Sequence, residues 1–269
     1  MEIRTGVERQ PALFIGHGSP MNAIAENSYS KSLKLWGDKL RTLKPRAAVV
    51  FSAHWETDGL QVLTVPAPRT IHDFYGFPKS LFEVQYPAPG DPALATRIVN
   101  LLGIEAATPT TQWGFDHGVW SVFRHLWPDA NLPIVMVSLS KRLDPETHLR
   151  VGRWLRPLRD DGVLIVGSGN IVHNLKEIQR DSAALPFPWA TEFDQRIQKA
   201  LVERDEKTLI SASRSSDAAA RKSVPSREHY LPLIPVFGAT MEDEVPMFIS
   251  DEIQNASISM RSVVYGFPQ

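Results

Sequence analysis

Pro11-Ala12-Leu13-Phe14-Ile15-Gly16-His17-Gly18-Ser19-Pro20 is the stretch from which the fold is read. Its apolar residues run without a break into a histidine held between two glycines, and a proline closes the segment. A short apolar run bounded by Gly and Pro reads as a buried strand of an α/β sheet. His17 then stands at the carboxyl end of that strand, where open α/β sheets bind their ligands. Glycine on either side lets the backbone bend and leaves room beside the imidazole. A single histidine in such a place is as readily a hydrogen-bonded turn residue as a ligand, so the reading rests on whether the pattern recurs.

It recurs along the chain. Ala47-Ala48-Val49-Val50-Phe51-Ser52-Ala53-His54-Trp55 is a second apolar run ending in histidine, separated from the first by an amphipathic helix over Ser28 to Leu40 that Pro45 stops. Strands joined through a helix are expected to be parallel neighbours, which brings His17 and His54 to one edge of the sheet. Val163 to Asn174 repeats the theme as a strand, a Gly167-Ser168-Gly169 turn and His173. That turn lacks the third glycine of a dinucleotide fingerprint and the lysine of a P-loop, which argues against phosphate binding. Trp113-Gly114-Phe115-Asp116-His117-Gly118 sets a further histidine in an aromatic loop ahead of a helix running from Val119 toward Leu126. Asp116, as its immediate neighbour, is poorly placed to orient His117. A helix beginning near Ser226 would carry Glu228 and His229 in its first turn.

Between these points the chain alternates strands and helices. Short strands are expected at Gln61 to Val65 and Ile134 to Leu139, and a half-buried edge strand at Ile258 to Gly266. Helices are expected at Pro92 to Leu102, capped by Asp91, at Asp144 to Asp160, and at Thr191 to Arg204. Asp205 to Ser226, polar and poor in aromatics, reads as a mobile surface segment. The loop Thr70-Ile71-His72-Asp73-Phe74-Tyr75-Gly76-Phe77-Pro78 either covers the end of the sheet or walls a pocket for a flat aromatic ligand. His125 and His148 lie in helices and read as packing or surface residues.

Composition narrows the function classes. The chain has 269 residues, 43% hydrophobic and 22% charged, with a net charge of −1, which excludes a nucleic-acid footprint and a polybasic membrane surface. No run of apolar residues is long enough to span a bilayer, and Met1 to Gln10 alternates charge without an apolar segment, so no signal peptide is expected and the protein reads as cytoplasmic. There are no cysteines, so any metal must be held by His, Asp or Glu. Histidines this far apart in sequence suit a catalytic ion with open positions more than a local structural site closed by four ligands. With one carboxylate nearby, the set suits a first-row divalent ion such as Fe(II), Mn(II) or Zn(II). Two other readings of the same residues are a zinc hydrolase acting on a small amide or ester through a metal-bound hydroxide, and a non-enzymatic metal-binding scaffold.

Taken together, Gly16-His17-Gly18-Ser19-Pro20, Ser52-Ala53-His54-Trp55, Thr70-Ile71-His72-Asp73-Phe74, Tyr86-Pro87-Ala88-Pro89-Gly90, Trp113 to Gly118, Gly167 to Asn174 and Glu228-His229-Tyr230-Leu231-Pro232-Leu233 resemble the class III extradiol ring-cleavage dioxygenases, in the bacterial and plant DOPA dioxygenase branch. The matches run in order over nearly the whole chain. The resemblance implies one catalytic domain over residues 1–269, with a central mixed, largely parallel sheet flanked by helices and a non-haem metal at the strand C-terminal rim. It implies His17, His54 and His229 as metal ligands, with Glu228 as the alternative third ligand. It implies His173 as the acid/base, close enough to ligate a resting zinc form, and His117 as a second histidine contacting substrate. His72, Phe74 and Tyr230 join the expected substrate contacts. One divalent metal is implied, Fe(II) for activity with Zn(II) bound as isolated. The implied partners are a small aromatic diol and dioxygen, with no nucleic acid, membrane or obligate protein partner.

Overall fold

The computed structural model describes residues 8–268; most of the charged N-terminal segment Met1 to Gln10 lies outside them. Its strands and helices are, in chain order, β1 (Ala12–Gly16), α1 (Ser28–Thr42), β2 (Ala47–Ser52), β3 (Glu56–Thr57), β4 (Gln61–Leu63), α2 (Lys79–Phe82), α3 (Pro92–Leu101) and β5 (Thr108–Thr110). Then come α4 (His117–Leu126), β6 (Ile134–Met136), β7 (Leu139–Ser140), α5 (Pro145–Leu155), β8 (Val163–Gly169), α6 (Pro188–Glu203), α7 (Glu206–Ala212), α8 (Ala218–Ser223) and α9 (Leu233–Gly238). The chain ends with β9 (Met247–Ser250), β10 (Ile253–Gln254), β11 (Ile258–Ser259) and β12 (Ser262–Tyr265).

The central sheet has six strands in the order β6-β2-β8-β1-β12-β9. β6, β2, β8 and β1 run parallel, while β12 runs antiparallel to both β1 and β9. Successive side chains on a strand point to opposite faces, so each strand feeds two cores. Leu13, Ile15, Val50, Val166 and Val264 pack beneath α1 and α4 with Trp36 and Phe123. Phe14, Val49, Phe51, Ile165 and Tyr265 pack on the other side beneath α3, α5, α6 and α9 with Leu155, Phe193 and Ile234. Both faces of the strands are covered, as a parallel sheet requires. The architecture is the single α/β domain, with a mixed and largely parallel sheet, that the family resemblance implies.

Local capping explains several boundaries. Asn27 caps α1 reciprocally with Ser30, Asp91 caps α3 through the Leu94 amide, and Asp144 caps α5 through the Thr147 amide with Pro145 following it. Pro157 ends the α-helical hydrogen bonding near Leu155, and a 3-10 turn completes the segment to Asp161.

Five expectations are corrected. β1 and β2 are parallel but not neighbours, because β8 is inserted between them. Gly167-Ser168-Gly169 lies inside β8 and is not a turn; a Cβ at either glycine would meet the Pro232 or His229 carbonyl, so these glycines let the turn before α9 lie directly on the sheet. Asp205 to Ser226 is not mobile surface: it forms α7 and α8, whose Leu209, Ala212, Ala219 and Ala220 are buried. Ile134 to Leu139 divides into β6 and β7, since Val137 leaves the sheet to bridge Val62. The C-terminal strand is not an edge strand, because β9 covers it.

His148 is fully buried at the start of α5, where its Nε2 accepts from the Ser140 amide and its Nδ1 donates to the Asp144 carbonyl. Burial holds its pKa down to about 4, below the ordinary 6.5. Between those values the unfolded chain binds the extra proton, so this residue's contribution to stability is complete above pH 6.5 and lost as pH falls toward 4. Urea titrations between pH 7 and pH 4.5 are expected to give His148→Gln a shallower acid loss than the parent, the difference on the order of 2 to 3 kcal/mol. Gly152 of α5 faces α9, and a Cβ there would lie 1.9 Å from the Pro235 carbonyl oxygen. Gly152→Ala is expected to lower stability by about 1 to 3 kcal/mol, while Gly59→Ala, which meets nothing within 4 Å, stays within about 0.5 kcal/mol by thermal unfolding.

Candidate metal centre

The site is assembled by the ends of β1, β2 and β8. The His17 amide donates to the Gly169 carbonyl and the Ala53 amide to the Ser168 carbonyl, at 3.0 and 2.9 Å. β8 thereby fixes the residues leaving β1 and β2 on either side of itself, and both histidines emerge on one rim. His229 arrives in a turn that precedes α9, not in the first turn of a helix as expected. Its carbonyl accepts from the Asn170 amide at 2.8 Å, which ties that turn to the end of β8.

The rings of His17, His54 and His229 lie with centroids 5.0 to 5.4 Å apart. One nitrogen from each falls within 4.8 Å of the other two, a spacing that suits a shared cation. Hydrogen bonds identify which nitrogens are available. The Ser168 hydroxyl donates to the Gly118 carbonyl, so it accepts from His17 Nδ1 at 2.9 Å, leaving His17 Nε2 as a lone pair. Glu228, which also accepts from Ser226, stands 3.1 Å from His229 Nδ1 and leaves that Nε2 bare in the same way. His54 Nε2 points at His17 Nε2 across 3.1 Å. All three donors are neutral, oxygen-free and largely buried, which fits a divalent first-row ion.

Electrostatics agree with this arrangement. Burial, and then the neighbouring imidazoles, push His17 and His229 well below the ordinary histidine range. Burial and the His117 ring bring His54 down to about 3 against the opposing pull of Asp73. Near neutrality these imidazoles are uncharged, the form in which histidine binds metal.

Two more histidines complete the cluster. His173 stacks on His229 with centroids 3.5 Å apart and planes within 8°, and burial holds it down to about 4 despite Glu228. His117, the first residue of α4, lies 3.9 Å from the His54 ring. As expected, Asp116 does not orient it: its carboxylate accepts from Ser52 and Trp113 instead. Burial and the nearby Asp73 charge raise Asp116 to about 6. Asp73 takes the orienting position, accepting from both the amide and Nδ1 of His117 at 2.9 Å. Burial opposes ionisation of Asp73, yet its His117 hydrogen bonds hold it down at about 2.

These groups open onto a cavity of about 430 Å3 walled by Phe74, Tyr75 and Phe77 on one side and Leu175, Ile178 and Ile258 on the other. Phe74 sets its ring edgewise against His117. Tyr230 and His72 are corrections. Tyr230 turns away from His229 into the helical core, where its hydroxyl donates to the Leu209 carbonyl. His72 packs on Phe82 and Trp120 and bonds the Val84 carbonyl, outside the cavity lining. Asp73, Ser168, Leu175 and Ile178 went unread in the sequence. The signal for Asp73 was its place beside His72 in an extended loop, where alternate residues face opposite ways. His125 and His148 are packing residues, as expected.

Residues 11–267 match the family model described as the catalytic LigB subunit of aromatic ring-opening dioxygenase. A protein of Escherichia coli K12 named 4,5-DOPA dioxygenase extradiol is 42% identical over 263 residues, covering 96% of this chain and 95% of the relative. One of the same name from Beta vulgaris is 37% identical over 234 residues, covering 86% and 87%. The crystal structure of an uncharacterized Escherichia coli K12 protein superposes with a TM-score of 0.82 at 38% identity, over 95% of this chain and 99% of that one. The hydrolase and scaffold readings fall away, since the shared region spans the whole histidine set and the relatives are ring-cleaving enzymes. The chain belongs to the family of the catalytic LigB subunit of aromatic ring-opening dioxygenases, the class III extradiol enzymes its motifs resemble.

Proposed function

We propose that this dioxygenase opens the ring of a small DOPA-like catechol beside its diol, with one divalent metal held by His17, His54 and His229 and residues 1–269 acting as one catalytic domain. The observation that carries the reading is the convergence of these imidazoles within 4.8 Å beside an aromatic-walled cavity of about 430 Å3. The names of the Escherichia coli and Beta vulgaris relatives, both 4,5-DOPA dioxygenase extradiol, support this substrate class. Fe(II) is the proposed working ion, and Zn(II), which competes strongly for imidazoles, is the ion expected after preparation in air. When bound, the metal supplies Lewis acidity toward the diol and open positions that bring diol and dioxygen together. The cytoplasm, whose thiol pool is reducing, is the setting this reading implies.

The chain's own residues do the rest. Phe74, Phe77, Leu175 and Ile178 offer apolar faces to the catechol ring and exclude water from it. His117, with Nδ1 engaged by Asp73, leaves Nε2 to accept from one diol hydroxyl. His173, held down to about 4 and so neutral near pH 7, accepts the second hydroxyl proton on its ring and returns it as the ring opens. Both atoms of dioxygen enter the product, an open-chain semialdehyde acid. Glu228, engaged by Ser226 and His229, is read as the partner of a ligand.

Metal content by elemental analysis separates the ligand assignments. His17→Ala, His54→Ala and His229→Ala are expected to lose stoichiometric metal, whereas Glu228→Gln keeps one ion with affinity lowered about 10- to 100-fold. Stoichiometric binding in His229→Ala with none in Glu228→Gln would make Glu228 the ligand. The function is tested by anaerobic Fe(II) loading, addition of substituted catechols, and measurement of oxygen uptake and yellow ring-opened products. His173→Ala is expected to retain the metal and lose at least about 100-fold in kcat, the usual weight of a general acid/base. No oxygen uptake with any catechol would overturn the proposal.

A further inference from the structure

Asp73 stands between His54, on the metal-binding side of the site, and His117, on the substrate-facing side. His17 and His229 each have a partner at Nδ1, Ser168 and Glu228, and Glu228 also lies beside His173. His54 and His117 share one: Asp73 Oδ1 accepts from the amide and Nδ1 of His117, and its Oδ2 lies 3.2 Å from His54 Nδ1. The loop that holds Asp73 also contributes Phe74, Tyr75 and Phe77 to the cavity wall.

The position of Oδ2 matters because His54 has two ways to place its proton. With the proton on Nε2, His54 would donate to His17 Nε2 across 3.1 Å, tying up both lone pairs that face a metal. With the proton on Nδ1, the N–H lies beside the carboxylate, close enough for electrostatic attraction though not aligned as a hydrogen bond, and Nε2 is bare. A carboxylate oxygen at 3.2 Å repels a lone pair on Nδ1 and attracts a proton there. Resting on the ligand assignment proposed above, we infer that Asp73 is a positioning residue that holds His54 and His117 together in the Nδ1-protonated form, keeping one ready to bind metal and the other ready to accept from substrate.

The two histidines are therefore set by one group, and disturbing it affects metal affinity and catechol turnover jointly. Asn at this position keeps the shape but replaces one acceptor by an N–H donor, which cannot face two imidazole Nδ1–H groups. Long-range proton–nitrogen NMR spectra of the 15N-histidine-labelled, metal-free protein read the protonated nitrogen of each ring directly. The wild type is expected to carry the His54 and His117 protons on Nδ1, and Asp73→Asn to move the His54 proton to Nε2. Zinc titration of Asp73→Asn is expected to give one site weakened about 10- to 100-fold. In the Fe(II)-loaded enzyme kcat is expected to fall more than KM rises, with partial recovery in Asp73→Glu. A wild-type His54 proton on Nε2, or unchanged tautomer and zinc affinity in Asp73→Asn, would overturn the inference. Should Asp73→Asn fail to fold, the wild-type spectrum still decides. Tautomer and zinc affinity are independent of turnover, so a wild type that consumes no oxygen with catechols would overturn the functional reading alone.

Discussion

The register of β1 and β2 against β8 is the constraint on which the rest depends. Gly16 pairs with Gly169 and Ser52 with Ser168, so two strands separated by a helix reach the same rim at the same height. A slip of one residue would reverse the facing of every side chain on the slipped strand and carry its histidine away from the other. The two cores hold that register, because the inward residues of all three strands are fully buried on both faces. The third imidazole depends on it too, since the turn bearing His229 rests on the glycines of β8.

What the scaffold gains in placement it offsets in stability. Three neutral imidazoles buried side by side, with His173 and His117 against them, form a polar pocket in an otherwise apolar rim. Partners at Nδ1 make this tolerable, since a buried polar atom without one costs about 1 to 3 kcal/mol: Ser168 and Glu228 pair with His17 and His229, and Asp73 lies 3.2 Å from Nδ1 of His54. The Nε2 atoms of His17 and His54 meanwhile face each other across 3.1 Å. A cation that binds only the folded chain recovers that cost, and its contribution grows with its concentration over its dissociation constant.

Much of this was readable in the chain. Each apolar run ending in histidine announced a strand and a rim residue, and caps such as Asp91 and Asp144 marked helix starts, because these signals are local. What could not be read was set by partners distant in sequence. Nothing near Gly167 or Gly169 indicates that the His229 turn will lie on them. Nothing near Tyr230 indicates that its hydroxyl will reach the Leu209 carbonyl. The segment from Asp205 to Ser226 carries no core signal in sequence because its apolar residues are small and few; Ala212, Ala219 and Ala220 become core only when α6 and its neighbours surround them. His72 carries the stronger local signal, yet it packs outside the cavity while Asp73 lines it.

The place of β12 in the sheet has a consequence for biosynthesis. Its antiparallel pairing with β1 joins residues far apart in sequence, Leu13 with Val264. During translation the hydrogen-bonding side of β1 that β12 will occupy waits for every strand and helix between them to be made. An apolar strand with a vacant side is a ready template for wrong partners, so the nascent chain passes through a long vulnerable interval in which chaperone shielding has most to offer.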